Sequence, residues 1–305
     1  MKQGISPIYE PGLDELLLEN YKKGRLEFTT NYVEAYRNAE VIFIGVGTPE
    51  KEDGSANLDY IYTVAEQIGE NVQKDCIVVM KSTVPIGTND EVEEYIQEIV
   101  NGRVKIEVVS NPEFLSQGTA VKDTLQANRI VIGVESIEAE LIMRRIYESF
   151  NQPILVTNRR SAEMIKYASN DFLALKISFI NEVANLCELV GADVEDVAKG
   201  MSFDPRIGDK FLKAGIGYGG SCFPKDTKAL HWLAEEQGYE IKTVKATIEV
   251  NENQKFRLMK KAKRRFKRLK GMKVAVLGLT FKPGTDDLRE APSIPNVKML
   301  LEEGA

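Results

Sequence analysis

The chain has 305 residues, of which 43% are hydrophobic and 28% are charged, and this length suffices for two or more domains with buried cores. Its formal net charge of -6 gives no general attraction to nucleic acid, and no apolar run is long enough to predict a membrane span. Three scattered cysteines predict neither a disulfide framework nor a zinc site, and they favour a reducing cytoplasm. A single histidine, His231, excludes a histidine-rich metal site, so we expect no metal.

Short β-branched runs alternate with amphipathic segments in the first half of the chain. The predicted strands are residues 41–44, 77–80, 106–109, 130–132 and 154–156. The predicted helices are residues 58–72, 91–100 and 138–150. This alternation predicts an α/β fold with a doubly wound, largely parallel, Rossmann-like sheet. Ligands bind beyond the carboxyl ends of such strands, where the loops starting at Gly45, Ser82 and Ser110 are expected.

The second half is predominantly helical. Residues 161–190 predict one long helix with an apolar stripe that includes Met164, Phe172 and Leu186. Further helices are predicted between residues 225 and 269. Residues 273–278 are predicted to be a strand that opens a second Rossmann-like unit, followed by a helix over residues 296–303.

The order of the predicted elements indicates a chain that is truncated at both ends. A dinucleotide-binding domain opens with a strand, a G-x-G-x-x-G turn and a helix, whereas this chain enters at a loop around Pro7. The literal match at Gly215, Gly217 and Gly220 follows no predicted strand, so we interpret it as a structural loop. The last predicted unit, one strand and one helix, is too small to bury its faces alone.

Residues 219–226, with the sequence Gly-Gly-Ser-Cys-Phe-Pro-Lys-Asp, are the strongest candidate for chemistry. Cys222 precedes a predicted helix whose first turn contains Pro224, and a helix N-terminus beside Lys225 favours the nucleophilic thiolate. Asp226 lies one turn further and could hold a water or an ammonium group. The alternative is a small apolar cysteine in a glycine turn.

Three more polar residues could cooperate with a thiol. Lys166 and Asn170 have the i, i+4 spacing that places both on one helix face, where they could stabilise an oxyanion; alone, such a pair is usually a polar surface stripe. Glu113 follows a predicted strand, and partial burial would suit it to general-base work; a solvated loop glutamate is the alternative.

A strongly basic segment lies near the end of the chain. Residues 255–270 contain ten Lys or Arg and no acid. Leu258, Ala262, Phe266 and Leu269 form an apolar stripe beneath these charges, and no aromatic stacking platform is present. We therefore interpret the segment as a solvated helix face and expect no nucleic-acid partner.

Together these motifs resemble the UDP-glucose/GDP-mannose dehydrogenase family. The matching segments, in family order, are PIYEPGL (7–13), VGTP (46–49), KSTVPIGT (81–88), NPEFL (111–115), AEMIKY (162–167) with Asn170, RIG (206–208), FLK (211–213), GGSCFPKD (219–226) and FK (281–282) with Arg289. The form of residues 219–226 looks closest to members that oxidise UDP-glucose. The resemblance implies three domains: residues 1–158 as a partial NAD-binding domain, 159–270 as a central helical dimerisation and catalytic domain, and 271–305 as the start of a UDP-sugar-binding domain.

The resemblance also implies a reaction, the oxidation of the sugar C6 alcohol to a carboxylate with two NAD+. Cys222 would form a thiohemiacetal and then a thioester, Lys166 and Asn170 would stabilise the oxyanion, and Glu113 would be the general base for hydrolysis. Asp226 would orient the water and Thr83 would lie beside the cofactor. The residues expected to contact NAD are Val46, Thr48, Ser82, Thr83, Lys225 and Arg289. Those expected to line the nucleotide-sugar site are Glu113, Phe114, Leu115, Lys166, Asn170, Arg206, Phe211, Lys213, Gly219, Phe281 and Lys282.

Several alternatives stay open. Gln117 stands where the family has a second glutamate, which leaves any role for this position in doubt. GDP-mannose or a UDP-N-acetylhexosamine could replace UDP-glucose as the substrate, and a truncated chain could be a non-catalytic remnant that binds nucleotide sugars. The family generally forms dimers through its central helices, so we expect a homodimer or a higher homo-oligomer.

Overall fold

The structure is a computed structural model that describes residues 5–305 and contains two compact units. The first unit comprises the described residues up to Glu52 together with Ala56–Lys166, and the second comprises Asp53–Ser55 together with Tyr167–Ala305. In the described part of the chain, no helix is both long and apolar enough to cross a membrane.

The first unit is built on a five-stranded sheet in the order β1-β2-β3-β4-β5. The strands are β1 (Val41–Ile44), β2 (Cys76–Met80), β3 (Ile106–Ser110), β4 (Ile130–Gly133) and β5 (Ile154–Thr157). Every residue of β2, β3 and β4 is buried, as expected for strands that are covered on both faces. The predicted α/β fold is therefore confirmed.

One strand pairing differs from a fully parallel sheet. The pairs β1–β2, β2–β3 and β4–β5 are parallel, whereas β3 and β4 are antiparallel, with Ser110 opposite Gly133 as the register pair. The buried side chain of Asn111 extends this contact, because its Nδ2 donates to the carbonyl of Val131 at 2.8 Å. A side-chain amide thus replaces part of the backbone ladder at this point.

Six helices accompany the sheet: α1 (Leu13–Lys22), α2 (Tyr32–Arg37), α3 (Asp59–Asn71), α4 (Thr88–Val100), α5 (Ala120–Leu125) and α6 (Ile137–Tyr147), the last extended by a 3₁₀ turn at Glu148–Phe150. One core cluster includes Ile61 and Ile68 of α3 and Val92 and Ile96 of α4. A second cluster includes Met143 of α6. Three of the helices (α1, α2 and α5) were not predicted from the sequence, and none of them contains a buried residue.

The second unit is helical. Its helices are most of α7 (Arg159–Val190), then α8 (Val194–Ser202), α9 (Phe223–Glu236), α10 (Lys242–Gln254), α11 (Arg257–Phe266) and α12 (Ser293–Glu302). The long helix was predicted correctly, but its predicted apolar stripe is buried only in part: Ile180 is fully buried, whereas Phe172 and Leu186 are 61% and 58% exposed. The buried face of the helix also contains polar residues, among them Asp171 and Asn181.

Residues 273–278 do not form the predicted strand. A strand needs a partner for its backbone N–H and C=O groups, and the described residues of the second unit contain no other strand. Val274, Val276 and Leu277 are accordingly exposed. The helix predicted to follow is present as α12.

Candidate functional site

The loops that follow β1 and β2 are joined by side-chain hydrogen bonds. Ser82 Oγ donates to the carbonyl of Val46 at 2.6 Å, and Thr48 Oγ1 donates to the carbonyl of Thr83 at 2.8 Å. These four residues, all predicted to contact a cofactor, therefore lie together at the carboxyl ends of two parallel strands. Apart from the adjoining residues of the chain, no atom of the described residues lies within 4 Å of the position that a Cβ would take at Gly45 or Gly47, so the backbone there borders open space.

Glu113 and Lys166 form a direct ion pair in the first unit. Their Oε1 and Nζ atoms are 2.7 Å apart, and the Lys166 side chain is 3% exposed. The other carboxylate oxygen of Glu113 accepts a hydrogen bond from the backbone of Leu115 at 2.8 Å. The ring of Phe114 lies 5.6 Å from the Lys166 Nζ. Four of the predicted site residues are therefore brought together here, although Leu115 itself is exposed.

Lys81 is a second lysine beside this pair; it is half-buried, and sequence reasoning assigned it no role. Its Nζ donates to the side-chain oxygen of Asn111 at 3.3 Å. Burial lowers the pKa of Lys81 to about 8; the charge of Glu113 opposes this shift and that of Lys166 adds to it. An amide is a weak partner for an ammonium, so Lys81 can lose its proton far more readily than an exposed lysine.

The start of α7 is anchored by Glu163, which sequence reasoning also missed. Its carboxylate is 3% exposed and accepts hydrogen bonds from the backbone of Gly87 at 2.6 Å and of Asn89 at 2.9 Å, at the N-terminus of α4. Burial raises the pKa of Glu163, and these hydrogen bonds oppose the rise. This contact fixes the helical turn that presents Lys166 to Glu113.

Glu10, in the first of the matching segments, supports the loop that follows Glu113. Its two carboxylate oxygens accept hydrogen bonds from the backbone of Gly118 at 2.8 Å and of Ala120 at 2.7 Å. Gln117, the position left in doubt, lies directly before this contact and is half-buried.

In the second unit, Cys222 is exposed and is the N-cap residue of α9, with Pro224 in the first turn. The glycines before it are required sterically. A Cβ at Gly219 would lie 2.3 Å from the carbonyl oxygen of Glu290, and a Cβ at Gly220, whose φ is +85°, would lie 2.9 Å from the Phe281 ring. The predicted glycine turn is therefore packed tightly, and it presents a thiol at a helix N-terminus, where the thiolate is favoured.

Asp226 is the buried carboxylate one turn into α9. It is 1% exposed, and it accepts hydrogen bonds from Asn170 Nδ2 at 2.6 Å and from Lys225 Nζ at 2.7 Å. Its own backbone N–H donates to the carbonyl of Cys222 at 2.8 Å. Three of the residues predicted for catalysis, together with Lys225, therefore form one cluster in this unit.

Asp171 is a second buried acid in the same unit, and it was not predicted. It is 5% exposed. Burial, with a further contribution from the charge of Asp226, raises the pKa of Asp171 to about 8. Its position on the long helix gave one possible signal: it follows Tyr167 by four residues and precedes Ala174 by three, which is the spacing of a buried helix face.

The remaining predicted residues are more dispersed. The Phe211 ring lies 6.1 Å from that of Phe223, and Phe211 has a φ of 64°, a conformation that is uncommon outside glycine. Lys282 lies over the Phe281 ring at 5.5 Å. Arg206, Lys213 and Arg289 lie at the surface. Arg206 forms an ion pair with Asp204, and Arg289 forms one with Asp287.

The segment that matches G-x-G-x-x-G forms a structural loop, as interpreted from the sequence. Asn181 accepts from the backbone N–H of Gly215 at 2.8 Å, and Gln254 donates to its carbonyl at 2.7 Å. Asn251 both accepts from and donates to the backbone of Tyr218. These amides tie the loop to α7 and α10.

Comparison with known families explains the order of these motifs. Residues 1–151 match the NAD-binding domain of the UDP-glucose/GDP-mannose dehydrogenase family, residues 160–253 match its central domain, and residues 275–305 match its UDP-binding domain. The chain belongs to this family. The resemblance inferred from the motifs is therefore confirmed.

Individual relatives agree with this assignment. UDP-glucose 6-dehydrogenase YwqF of Bacillus subtilis is 53% identical over 294 residues, which are 96% of this chain and 67% of that protein. A solved UDP-glucose dehydrogenase from Pyrobaculum islandicum is 43% identical with a TM-score of 0.97, over 100% of this chain and 71% of that one. A UDP-D-ManNAc dehydrogenase from Pyrococcus horikoshii is 29% identical with a TM-score of 0.90, over 99% and 72% of the two chains. The chain thus spans about two thirds of the length of these relatives.

Proposed function

We propose that this protein catalyses the NAD-dependent, four-electron oxidation of UDP-glucose at C6 to UDP-glucuronate, through covalent intermediates on Cys222. Relatives that bear the name UDP-glucose 6-dehydrogenase support the substrate. The observation that carries the mechanism is an exposed thiol at the N-cap of α9, one turn before a buried carboxylate. A covalent intermediate allows two successive oxidations at one site without release of an aldehyde.

The loops after β1 and β2 fit a dinucleotide. Gly45 and Gly47 leave open space beside the backbone. The hydroxyls of Ser82 and Thr48 donate hydrogen bonds between the two loops, which fixes the conformation of the loops before a cofactor binds. Val46, Thr48, Ser82, Thr83, Lys225 and Arg289 would hold the cofactor. When bound, NAD+ accepts one hydride from C6 in each of the two oxidations.

Cys222 is the nucleophile in this mechanism. Its thiolate adds to the C6 aldehyde to form a thiohemiacetal, and loss of a hydride and a proton converts that species to a thioester. Water then attacks the thioester carbonyl, the C–S bond breaks, and the thiol of Cys222 and the product carboxylate are released.

The polar residues divide the remaining work. Lys166 and Asn170 donate to the oxygen that carries the developing negative charge. Glu113 accepts a proton from the hydrolytic water, and its ion pair with Lys166 fixes the position of its carboxylate. Asp226, held by Lys225 and Asn170, orients the water.

The nucleotide sugar would be held by the other predicted residues. Phe114 and Leu115 directly follow Glu113 in the chain. Gly219 lies in the glycine turn before Cys222, and the Phe281 ring packs against that turn at Gly220. The residues that complete the proposed site are Arg206, Phe211, Lys213 and Lys282. We also propose the domain limits of residues 1–158, 159–270 and 271–305 for this chain.

Product stoichiometry tests this function directly. The purified chain should form two NADH for each UDP-glucose consumed, with kcat/KM higher for UDP-glucose than for GDP-mannose or UDP-N-acetylglucosamine. Cys222→Ser should abolish UDP-glucuronate formation, because a serine hydroxyl is a much weaker nucleophile than a thiolate and an oxygen ester hydrolyses more slowly than a thioester. Cys187→Ser, at a buried cysteine of α7, is the matched control and should retain activity. Full UDP-glucuronate formation by Cys222→Ser would refute the mechanism.

We further propose that the chain forms a homodimer or a higher homo-oligomer through α7. Phe172, Phe179 and Leu186 recur every seven residues on this helix and are 61%, 48% and 58% exposed. Such a stripe is a typical helix–helix contact surface. Phe179→Glu should shift the sedimentation coefficient to that of a monomer, whereas Glu195→Lys, at an exposed position of α8, should not.

A reducing compartment suits the proposed chemistry, because an exposed catalytic thiol must stay reduced. We therefore assign the protein to the cytoplasm. A cytoplasmic marker co-fractionating with the protein after cell lysis would support this assignment, and recovery with an extracellular or periplasmic marker would contradict it.

A further inference from the structure

The second unit contains two buried carboxyl groups, Asp171 and Asp226, that differ sharply in their partners. Asp171 directly follows Asn170, whose side chain donates a hydrogen bond to Asp226. Asp226 accepts hydrogen bonds from Asn170 and from the ammonium of Lys225. Neither oxygen of Asp171, by contrast, accepts a hydrogen bond of regular geometry among the described residues, and its own backbone N–H is only a weak donor. Asp171 is 5% exposed, so its carboxyl group has little contact with bulk solvent.

This asymmetry determines which of the two groups carries a proton. Hydrogen bonds and a cation stabilise an ionised carboxylate, whereas burial without donors favours the neutral acid. Two neighbouring carboxylates also repel each other, so the pair ionises in two separate steps. We propose that Asp171 is the proton-bearing member of a buried carboxyl pair with Asp226, and that it acts as a positioning residue that leaves Asp226 as the single carboxylate available to Lys225 and Asn170.

Tyr218 and Lys225 are further titratable groups that interact with this pair. Tyr218 is 6% exposed, and burial is the main reason that its pKa is raised to about 12; the charges of Asp171 and Glu252 add to this rise, and a hydrogen bond with Thr227 opposes it. Tyr218 therefore stays neutral wherever Asp171 titrates. Lys225 is the cation on Asp226, and its Nζ lies 2.7 Å from the Asp226 carboxylate.

A consequence for catalysis follows, and it rests on the proposed dehydrogenase function. Ionisation of Asp171 would place a second negative charge beside Asp226 and near Asn170, which is assigned to stabilise an oxyanion. That charge opposes the negative charge of the transition state. The rate should therefore fall as Asp171 loses its proton, by about tenfold per pH unit once ionisation is complete in the free enzyme.

Infrared difference spectroscopy tests the proton location without any need for activity. The wild-type minus Asp171→Asn spectrum should show the C=O stretch of a protonated carboxyl group at neutral pH, and this band should disappear with a midpoint at the Asp171 pKa of about 8. Asp196→Asn, at an exposed position of α8, is the matched control and should give no such band at neutral pH. Absence of the band in the Asp171 difference spectrum would overturn the proposal.

Removal of the neighbouring charge tests whether the two groups form a pair. In Asp226→Asn, the Asp171 band should titrate at lower pH, because the carboxylate that opposes its ionisation is gone. An unchanged midpoint would contradict the coupling.

The pH profile of kcat/KM for UDP-glucose then tests the catalytic consequence. Asp171→Asn should lose the alkaline decline caused by Asp171, whereas an identical decline in both proteins would contradict the positioning role. If the chain shows the infrared band but never forms NADH from UDP-glucose, the proposed function fails and the proton assignment stands. If the chain forms NADH from UDP-glucose and lacks the band, the proton assignment fails and the proposed function stands.

Discussion

The lysine cluster of the first unit and the aspartate cluster of the second follow the same physical rule with opposite charge. Each contains one buried group with a strong partner, Lys166 with Glu113 and Asp226 with Lys225. Each also contains one group, half-buried Lys81 or buried Asp171, that has no ionic partner within hydrogen-bonding distance among the described residues. Burial lowers the pKa of Lys81 to about 8 and raises the pKa of Asp171 to about 8.

In these two clusters, burial alone does not decide which group stays charged. Desolvation drives acids and bases alike toward neutrality, and a donor or counter-ion within hydrogen-bonding distance restores the charge. In both clusters the partnered residue is the one that the family resemblance assigns to the reaction. The residue without an ionic partner was found only from the structure.

The largest effect should follow removal of the partnered lysine. Lys166→Met leaves Glu113 without its counter-ion, so we expect activity to fall by about 10²–10³-fold and the free energy of unfolding to fall by roughly 3 kcal/mol. Lys105→Met is the matched control, because Lys105 forms an exposed pair with Glu138 at 3.0 Å. It should change the free energy of unfolding far less, because an exposed ion pair is screened by solvent. Urea unfolding and steady-state kinetics measure both effects, and equal losses in the two variants would refute the distinction between the partnered buried lysine and a surface ion pair.

An effect on stability with a defined pH dependence is expected at Asp171. A carboxyl whose pKa is raised from 3.8 to about 8 on folding binds more protons in the folded state across that window. Wild-type stability should therefore fall relative to Asp171→Asn as pH rises, by up to about 1.4 kcal/mol per pH unit. Urea unfolding of both proteins at several pH values within the window measures this slope. A constant difference between them would show that Asp171 is not perturbed.

Lys81 should show the opposite sign over a narrower range. Its pKa is lowered from 10.5 to about 8 on folding, so the unfolded chain binds more protons between those values. Below pH 8 the full cost of burying the ammonium is present, and Lys81→Met should be the more stable protein. Above it, wild-type stability should recover by up to about 1.4 kcal/mol per pH unit. Urea unfolding of both proteins at several pH values measures this recovery. A stability difference between the two proteins that widens with rising pH would contradict the predicted sign.

The sequence predicted the sheet well, because buried strands are short and β-branched. All five strands were placed, each within one residue of its ends. The predicted strand at residues 273–278 failed for the same physical reason: the pattern was β-branched, but no partner strand lies beside it in the described part of that unit. Helices without buried residues, such as α1, left little periodic signal.

The site could be predicted only as far as local motifs extend. Cys222 and Asp226 are four residues apart in one helix start, so their proximity followed from the sequence. The Glu113–Lys166 pair joins residues 53 positions apart, and only the resemblance had linked them. Lys81 and Asp171 were missed because their perturbation depends on burial and on neighbours from other elements, which no local pattern specifies.

Trapping the acyl intermediate tests the central claim, that Cys222 carries the substrate covalently. Glu113→Gln should slow thioester hydrolysis while leaving the thiol intact, so incubation with UDP-glucose and NAD+ should give a protein whose mass is increased by one UDP-glucuronyl group. Peptide mapping should locate the adduct at Cys222, and hydroxylamine should release it. NADH formation by this variant with no adduct on Cys222, or with the adduct on another residue, would contradict the account.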